Sequence, residues 1–208
     1  MDIVNGPDVE ELKNRDKIFS ALEKQYGLPP NWRRRPGFVS LSRIILEQQV
    51  SLNAARAHYL KLKAYVGNFT IQNLLGLSDA EFRQCQISRQ KMTYLRALAQ
   101  EIQSGSIDLS RLSQKKPEEV RSELTRIKGI GNWTVDIYLL FCLRNKDILP
   151  LGDIAIRRAI SELTGAKTEE EVIELSGRWK PFRSLAAYFL WHYYLSSRKK
   201  AFPFGDGI

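Results

Sequence analysis

Cysteine and histidine are nearly missing from this chain, which holds two of each in 208 residues. Cys85 and Cys142 stand far apart, so they offer no disulfide framework, no zinc spacing and no four-cysteine cluster site. Reduced, buried thiols are expected. His58 and His192 are isolated too, with no metal-ligand spacing or nucleophile beside them, and read as structural or surface residues. No apolar run is long enough to span a bilayer, and the amino terminus lacks a signal-peptide pattern. An intracellular protein with no membrane partner is expected. Alternation of period two never persists, which argues against strands. Repeats, low-complexity tracts, a Ser-His-Asp set and a nucleotide-binding glycine loop are also missing. Acids are the minority charge, 23 against 32 Lys and Arg, for a net +9. That surplus favours a polyanionic partner, although basicity alone also fits a membrane surface or an incidental excess.

What remains is helix signal. Amphipathic spacing predicts a first helix over 9–26, stopped by Gly27 and Pro29-Pro30, then a Trp-Arg-Arg-Arg-Pro-Gly loop over 32–37. Helices are expected over 38–49 and 51–65, with Thr70 opening a short one that ends at Gly76. Ser78 and Glu81 form a capping-box signature, and Ser88 caps a helix carrying Met92, Leu95, Leu98, Ala99 and Ile102 at helical spacing. A helix pair fills 117–144. Others start at Asp153 and Thr168 and over 182–197, with a basic tail at Arg198-Lys199-Lys200. The fold class is all-α. Residues 1–37 read as an amino-terminal helix and basic loop packed on a core formed by 38–208, a compact unit of two helical lobes with a groove between them.

The chemistry-bearing pattern is Leu124-Thr-Arg-Ile-Lys-Gly-Ile-Gly-Asn-Trp-Thr134, followed after an apolar stretch by Leu-Gly-Asp153. Gly129 and Gly131 permit a tight turn between two helices, since glycine tolerates positive φ. Amides at the start of the second helix then lack intrahelical partners and face outward, toward an anion such as a DNA phosphate. Thr134 is placed to add its hydroxyl. Leu124, Ile127 and Ile130 are spaced to bury on one face, and Pro117-Glu-Glu119 is a proper helix start. One carboxylate beside a DNA clamp and several aromatics suits cleavage of an N-glycosidic bond. A flipped base stacks on aromatic rings, and the acid stabilises the oxocarbenium-like sugar as the base departs. Cationic bases would be attracted to indole faces. The plainer alternatives stand beside this reading: Asp153 as a helix N-cap, the tryptophans as core, the Arg33–Arg35 run as a solvated loop.

On these residues the chain resembles the helix–hairpin–helix DNA glycosylases, and within them the 3-methyladenine DNA glycosylase II branch. The likeness covers roughly 38–195. Ile45-Leu-Glu-Gln-Gln-Val-Ser51 is similar to that branch's Ile-Leu-Gly-Gln-Gln-Ile-Ser segment. Ile87-Ser-Arg-Gln-Lys91 with Tyr94-Leu95, Ile130-Gly-Asn-Trp-Thr-Val135, and Arg178-Trp-Lys-Pro-Phe-Arg-Ser184 followed by Trp191 match further landmarks in order. The resemblance implies Asp153 as catalytic aspartate, Gln48, Trp133, Tyr138 and Trp191 around the base pocket, and Gln49 as the side chain wedged into the gap left by the flipped nucleotide. Ser51, Lys128, Gly129, Gly131 and Thr134 would serve DNA binding. The carbonyls of Thr125, Ile127 and Ile130 would hold a structural Na+ or K+. No other cofactor and no iron–sulfur cluster is implied.

Relatives that also cut the backbone carry a lysine two residues after the second hairpin glycine. Trp133 stands there, and an indole cannot form a Schiff base, so no lyase activity is expected. The implied activity is excision of alkylated purines, chiefly 3-methyladenine, from double-stranded DNA, initiating base excision repair. The protein would act as a monomer in the cytoplasm or nucleoid. A glycosylase for neutral or deaminated bases and a non-catalytic helix–hairpin–helix DNA-binding protein are the alternatives. Two departures bear on substrate range: Glu47 replaces a Gly usual in the branch, placing a second acid near the pocket or on the DNA-facing edge, and Ile137 occupies a place where some members have a pocket Tyr.

Overall fold

The computed structural model describes residues 2–199, so Lys200 of the expected basic tail, and the chain beyond it, lie outside the described residues. Within that span the chain is all-α, with no strand among the described residues. It divides into two compact units, one formed by Arg34–Tyr138 and the other by Met1–Arg33 with Leu139–Ile208.

In the first unit, α3 (Phe38–Glu47) is the central helix, buried continuously from Ser40 to Glu47. Its apolar run lets it pack on α4 (Leu52–Val66) and α7 (Arg89–Gln103). Around α7 lie α5 (Ile71–Leu75) and α6 (Asp79–Gln84). Hydroxyls set the starts of these helices: Ser51, Thr70, Ser78 and Ser88 each accept a backbone amide in the first turn, and Ser78 and Glu81 complete the capping box. Met92, Leu95, Leu98 and Ala99 are buried at the expected spacing along α7. A short 3-10 turn at Leu112–Gln114 precedes α8 (Pro117–Leu124), and α9 (Asn132–Phe141) follows it. The boundary between the units falls inside α9, after Tyr138.

The second unit holds α1 (Gly6–Arg15), α2 (Lys17–Tyr26), α10 (Ile154–Thr164), α11 (Glu169–Gly177) and α12 (Arg183–Ser196). Here α12 is central, buried without interruption from Ser184 to Trp191 and packed on α1, α2 and α10. The single helix expected over 9–26 is broken in two. Asp16 is extended (φ −149°, ψ 119°), and its carboxylate accepts the Ile18 amide at 3.1 Å. The other carboxylate oxygen accepts Nε1 of the fully buried Trp179 at 3.0 Å. Capping together with satisfying a buried indole outweighs continuing the helix. Nothing local, neither Gly nor Pro, marks the break in advance.

Candidate active site and nucleic-acid interface

The hairpin between α8 and α9 lies in the first unit. Ile127 and Ile130 bury and anchor it, the Ile130 amide donates to the Ile127 carbonyl at 3.0 Å, and Lys128 is exposed at the tip. Gly129 has φ +91°, and a Cβ there would sit 2.0 Å from Cγ of Tyr94, so both conformation and space demand glycine. Gly131 differs from expectation. Its φ is not positive, and a Cβ would meet nothing within 4 Å. It is exposed with Asn132 where α9 begins, and the Val135 amide makes the first helical bond back to the Gly131 carbonyl at 3.1 Å. The preceding amides therefore have no intrahelical acceptor, which is the arrangement that receives an anion.

Thr134 does not present its hydroxyl as expected. The residue is buried, and its Oγ1 accepts Nε2 of Gln48 at 3.0 Å. Gln48 Nε2 also donates to the Gly129 carbonyl at 2.8 Å. Gln49, next in the chain, is exposed with φ +55°. Ser51 is exposed and caps α4, accepting the Ala54 amide at 3.2 Å. Tyr138 is fully buried, and its hydroxyl accepts the Gly37 amide at 3.0 Å. With no exposed surface it supports the fold rather than offering a face to a base, because α9 is apolar nearly all round and this position is central to it. Trp133 is half-buried in the first turn of α9.

A side-chain staple crosses the hairpin. Arg121 on α8 donates to Asn132 Oδ1 at 3.1 Å and to Asp136 Oδ1 at 2.5 Å, tying the two helices together. Burial holds the Asp136 carboxyl above its ordinary pKa, with the guanidinium opposing the shift. The available signal was Asp136 itself, a lone acid in the apolar run Trp-Thr-Val-Asp-Ile-Tyr-Leu-Leu-Phe, which calls for a buried partner.

Glu47 is not an acid on an open edge. It is buried and paired with Arg34, Oε2 to Nη1 at 3.0 Å, so one member of the arginine run turns inward while Arg33 and Arg35 stay exposed. Lys91, also buried, donates Nζ to the Leu46 carbonyl. Burial lowers the Lys91 pKa, and the Glu47 charge works against that.

Asp153 lies in the second unit, half-buried at the mouth of α10. Its Oδ1 accepts the amides of Ala155 at 2.9 Å and Ile156 at 3.1 Å, so the N-cap reading holds. The same oxygen accepts Nε1 of Trp191 at 3.2 Å. Trp191 is 6% exposed and stacks on Phe141, centroids 5.2 Å apart and planes 25° apart. Rather than an open platform for a base, Trp191 is a donor that aims the carboxylate, itself steadied by Phe141. The cap and the indole together give Oδ1 three donors, two from the start of α10 and one from α12.

The model of the HhH-GPD superfamily of base excision DNA repair proteins matches residues 42–181, from within α3 through the hairpin and Asp153. The chain belongs to that superfamily. Among its relatives this HhH-GPD protein is 31% identical to DNA-3-methyladenine glycosylase 1 of Schizosaccharomyces pombe, over 87% of this chain and 91% of that one. It is similar to a solved DNA-3-methyladenine glycosidase from Bacillus halodurans, with 29% identity, TM-score 0.78, and 94% and 92% of the two chains covered. It also resembles the Schizosaccharomyces pombe 3-methyladenine DNA glycosylase solved in complex with abasic DNA, with 27% identity, TM-score 0.80, and coverage of 89% and 95%.

Proposed function

We propose that this HhH-GPD protein is a monofunctional DNA glycosylase that removes alkylated purines, chiefly 3-methyladenine, from duplex DNA. One observation carries the reading: Asp153 is a half-buried carboxylate held on Oδ1 by two helix amides and by Trp191 Nε1. A cap that also accepts a buried indole serves structure alone at Asp16, so what singles out Asp153 is that it follows the hairpin within the stretch matched by the family, residues 42–181. As the base departs, positive charge develops on the sugar, and a carboxylate already aimed and partly desolvated stabilises it without reorganising. The same carboxylate orients the attacking water. An N3-alkylated adenine is cationic and leaves as a neutral base, so one carboxylate suffices without a general acid on the leaving group. Relatives named for 3-methyladenine support the choice of base.

The hairpin amides before Val135 grip a phosphate, with Lys128 beside them, and Gln49 fills the gap left by the extruded nucleotide. Neutral carbonyl oxygens suit Na+ or K+. The Ile127 carbonyl keeps a second lone pair after accepting the Ile130 amide, and with the carbonyls of Thr125 and Ile130 it would hold such an ion, whose charge would strengthen the phosphate grip. Trp133 stands where a Schiff-base lysine would be needed, and base removal therefore leaves the strand intact. No helix among the described residues is long and apolar enough to cross a membrane. The enzyme would work as a monomer on chromosomal DNA in the cytoplasm or nucleoid.

The test is base release from duplex DNA treated with a simple methylating agent, resolving the released bases, with strand scission followed on a defined lesion. Free 3-methyladenine with unbroken, alkali-labile strands is the expected result. No released alkylated base would refute the substrate class, and release of hypoxanthine or uracil instead would assign the enzyme to neutral lesions.

A further inference from the structure

Gln48 joins two features that the functional reading treats separately. It is the C-cap of α3 (φ −58°, ψ 127°) and stands directly before Gln49, exposed at φ +55°. A non-glycine residue in the left-handed region is strained and persists only where its surroundings over-determine it. Those surroundings are unusually firm. A primary amide has two N–H donors, and Gln48 spends both inside the protein, on the Gly129 carbonyl at 2.8 Å and on Thr134 Oγ1 at 3.0 Å. The amide's orientation is fixed as well, because a carbonyl only accepts and the nitrogen must face Gly129. From the helix side, Lys91 Nζ bonds the Leu46 carbonyl and Arg34 pairs with Glu47. Each residue from Leu46 to Gln48 is thus held by a partner outside α3. At the other end of the link, Gly129 lies so close to the Tyr94 ring that not even a methyl fits between them.

We propose that Gln48 is a positioning residue that fastens the exposed Gln49 turn to the Gly129 corner of the hairpin. Gripping a phosphate and displacing the nucleotide then become one rigid event rather than two independent contacts. This role stands beside the expected one at the wall of the base pocket: both N–H groups are taken within the protein, which leaves only the amide oxygen to face a base. The proposal rests on the glycosylase reading above, in which Gln49 enters the duplex.

A double-mutant cycle on Gln48 and Gln49 tests it. Nucleotide extrusion is followed by stopped-flow fluorescence of 2-aminopurine placed beside a lesion, alongside single-turnover excision and affinity for undamaged duplex. Gln48→Ala is expected to slow extrusion and excision roughly 10- to 100-fold, the scale of a displacement of about an ångström, while undamaged-duplex affinity stays within about threefold. In a Gln49→Ala background the same change should cost less than about twofold, because nothing is left to position. Gln48→Glu keeps the size but cannot donate to Gly129, and should behave as Gln48→Ala. Equal losses in both backgrounds, or a wild-type rate in Gln48→Glu, would overturn the proposal. Should Gln48→Ala fail to fold, Thr134→Val removes one of the two acceptors at constant shape and supports the same cycle. If the wild type releases no base, the glycosylase reading fails, but the extrusion signal needs no bond cleavage and still decides the clamp.

Discussion

The two units solve different problems with different materials. In Arg34–Tyr138 the groups facing outward at the hairpin are backbone amides and a glycine corner, and side chains such as Gln48, Tyr94 and Arg121 work behind them as fasteners. In the other unit one side chain, Asp153, is held at the edge of an aromatic core by Trp191 and Phe141. Backbone binding is a property of shape, so it fails through substitutions that distort the turn. Carboxylate chemistry resides in a few atoms, so it fails when those atoms change while the shape survives. This contrast predicts which variants lose turnover and which lose grip.

The largest effect belongs to Asp153→Asn. The amide oxygen can still accept the Ala155 and Ile156 amides, so the cap and fold should persist, yet the negative charge that the proposed mechanism sets against the oxocarbenium is gone. Single-turnover excision should fall by about 10³-fold or more, with duplex affinity by fluorescence anisotropy within about threefold. Comparable turnover would remove Asp153 from the mechanism. Next in size is a pair of glycine variants. Gly129→Val must place a β-branched side chain at φ +91° and into the Tyr94 ring, which should cost about 3 kcal/mol or more and abolish duplex binding. Gly131→Ala meets no protein atom, so its melt should stay within about 0.5 kcal/mol of wild type. Its added methyl stands where a phosphate would approach, and affinity for duplex alone should fall. An unchanged affinity would mean the tip does not face DNA.

Trp191→Phe sharpens the comparison from the other unit. It keeps an aromatic ring against Phe141 but deletes the donor to Asp153 Oδ1. A hydrogen bond to a charged group is worth about 1.5–3 kcal/mol when well buried. At a half-buried carboxylate with two other donors the lower end applies, or a loss of roughly tenfold in excision with binding unchanged. A drop confined to cationic bases, with neutral ones unaffected, would return Trp191 to the role of base platform.

Much of this was legible beforehand, and the failures have physical causes. Helix starts were readable because Ser51, Ser78, Ser88, Thr168 and Asp153 cap through local bonds that sequence spacing encodes. The break at Asp16 was not, because its second stabilising partner, Trp179, is 163 residues away. Which glycine bears the strain depends on Tyr94, a long-range neighbour, so Gly129 and Gly131 looked equivalent. Thr134 reads as a phosphate contact and Tyr138 and Trp191 as pocket aromatics, but the sequence could not show that all three are buried and bonded within the protein. Glu47 looked exposed for the same reason: its partner Arg34 sits in a run that reads as solvated.

The smallest effect tests the staple of the hairpin, and its sign follows from burial. Burial holds the Asp136 carboxyl above its ordinary pKa, despite Arg121 beside it. The native state therefore holds this proton to a higher pH than the unfolded chain does. Its contribution favours folding at low pH, declines as pH rises from the unfolded value through the native one, and is fully unfavourable above that. Asp136→Asn keeps an oxygen for Arg121 and removes the buried charge. At neutral pH the variant should melt at or slightly above wild type, and the gap should close as the pH falls toward 4 and wild-type Asp136 takes up its proton. A variant that melts well below wild type at neutral pH, with the gap narrowing in acid, would show the opposite: the ion pair with Arg121 outweighs the desolvation of the carboxylate, and the hairpin, like Asp153, depends on a charge rather than on shape alone.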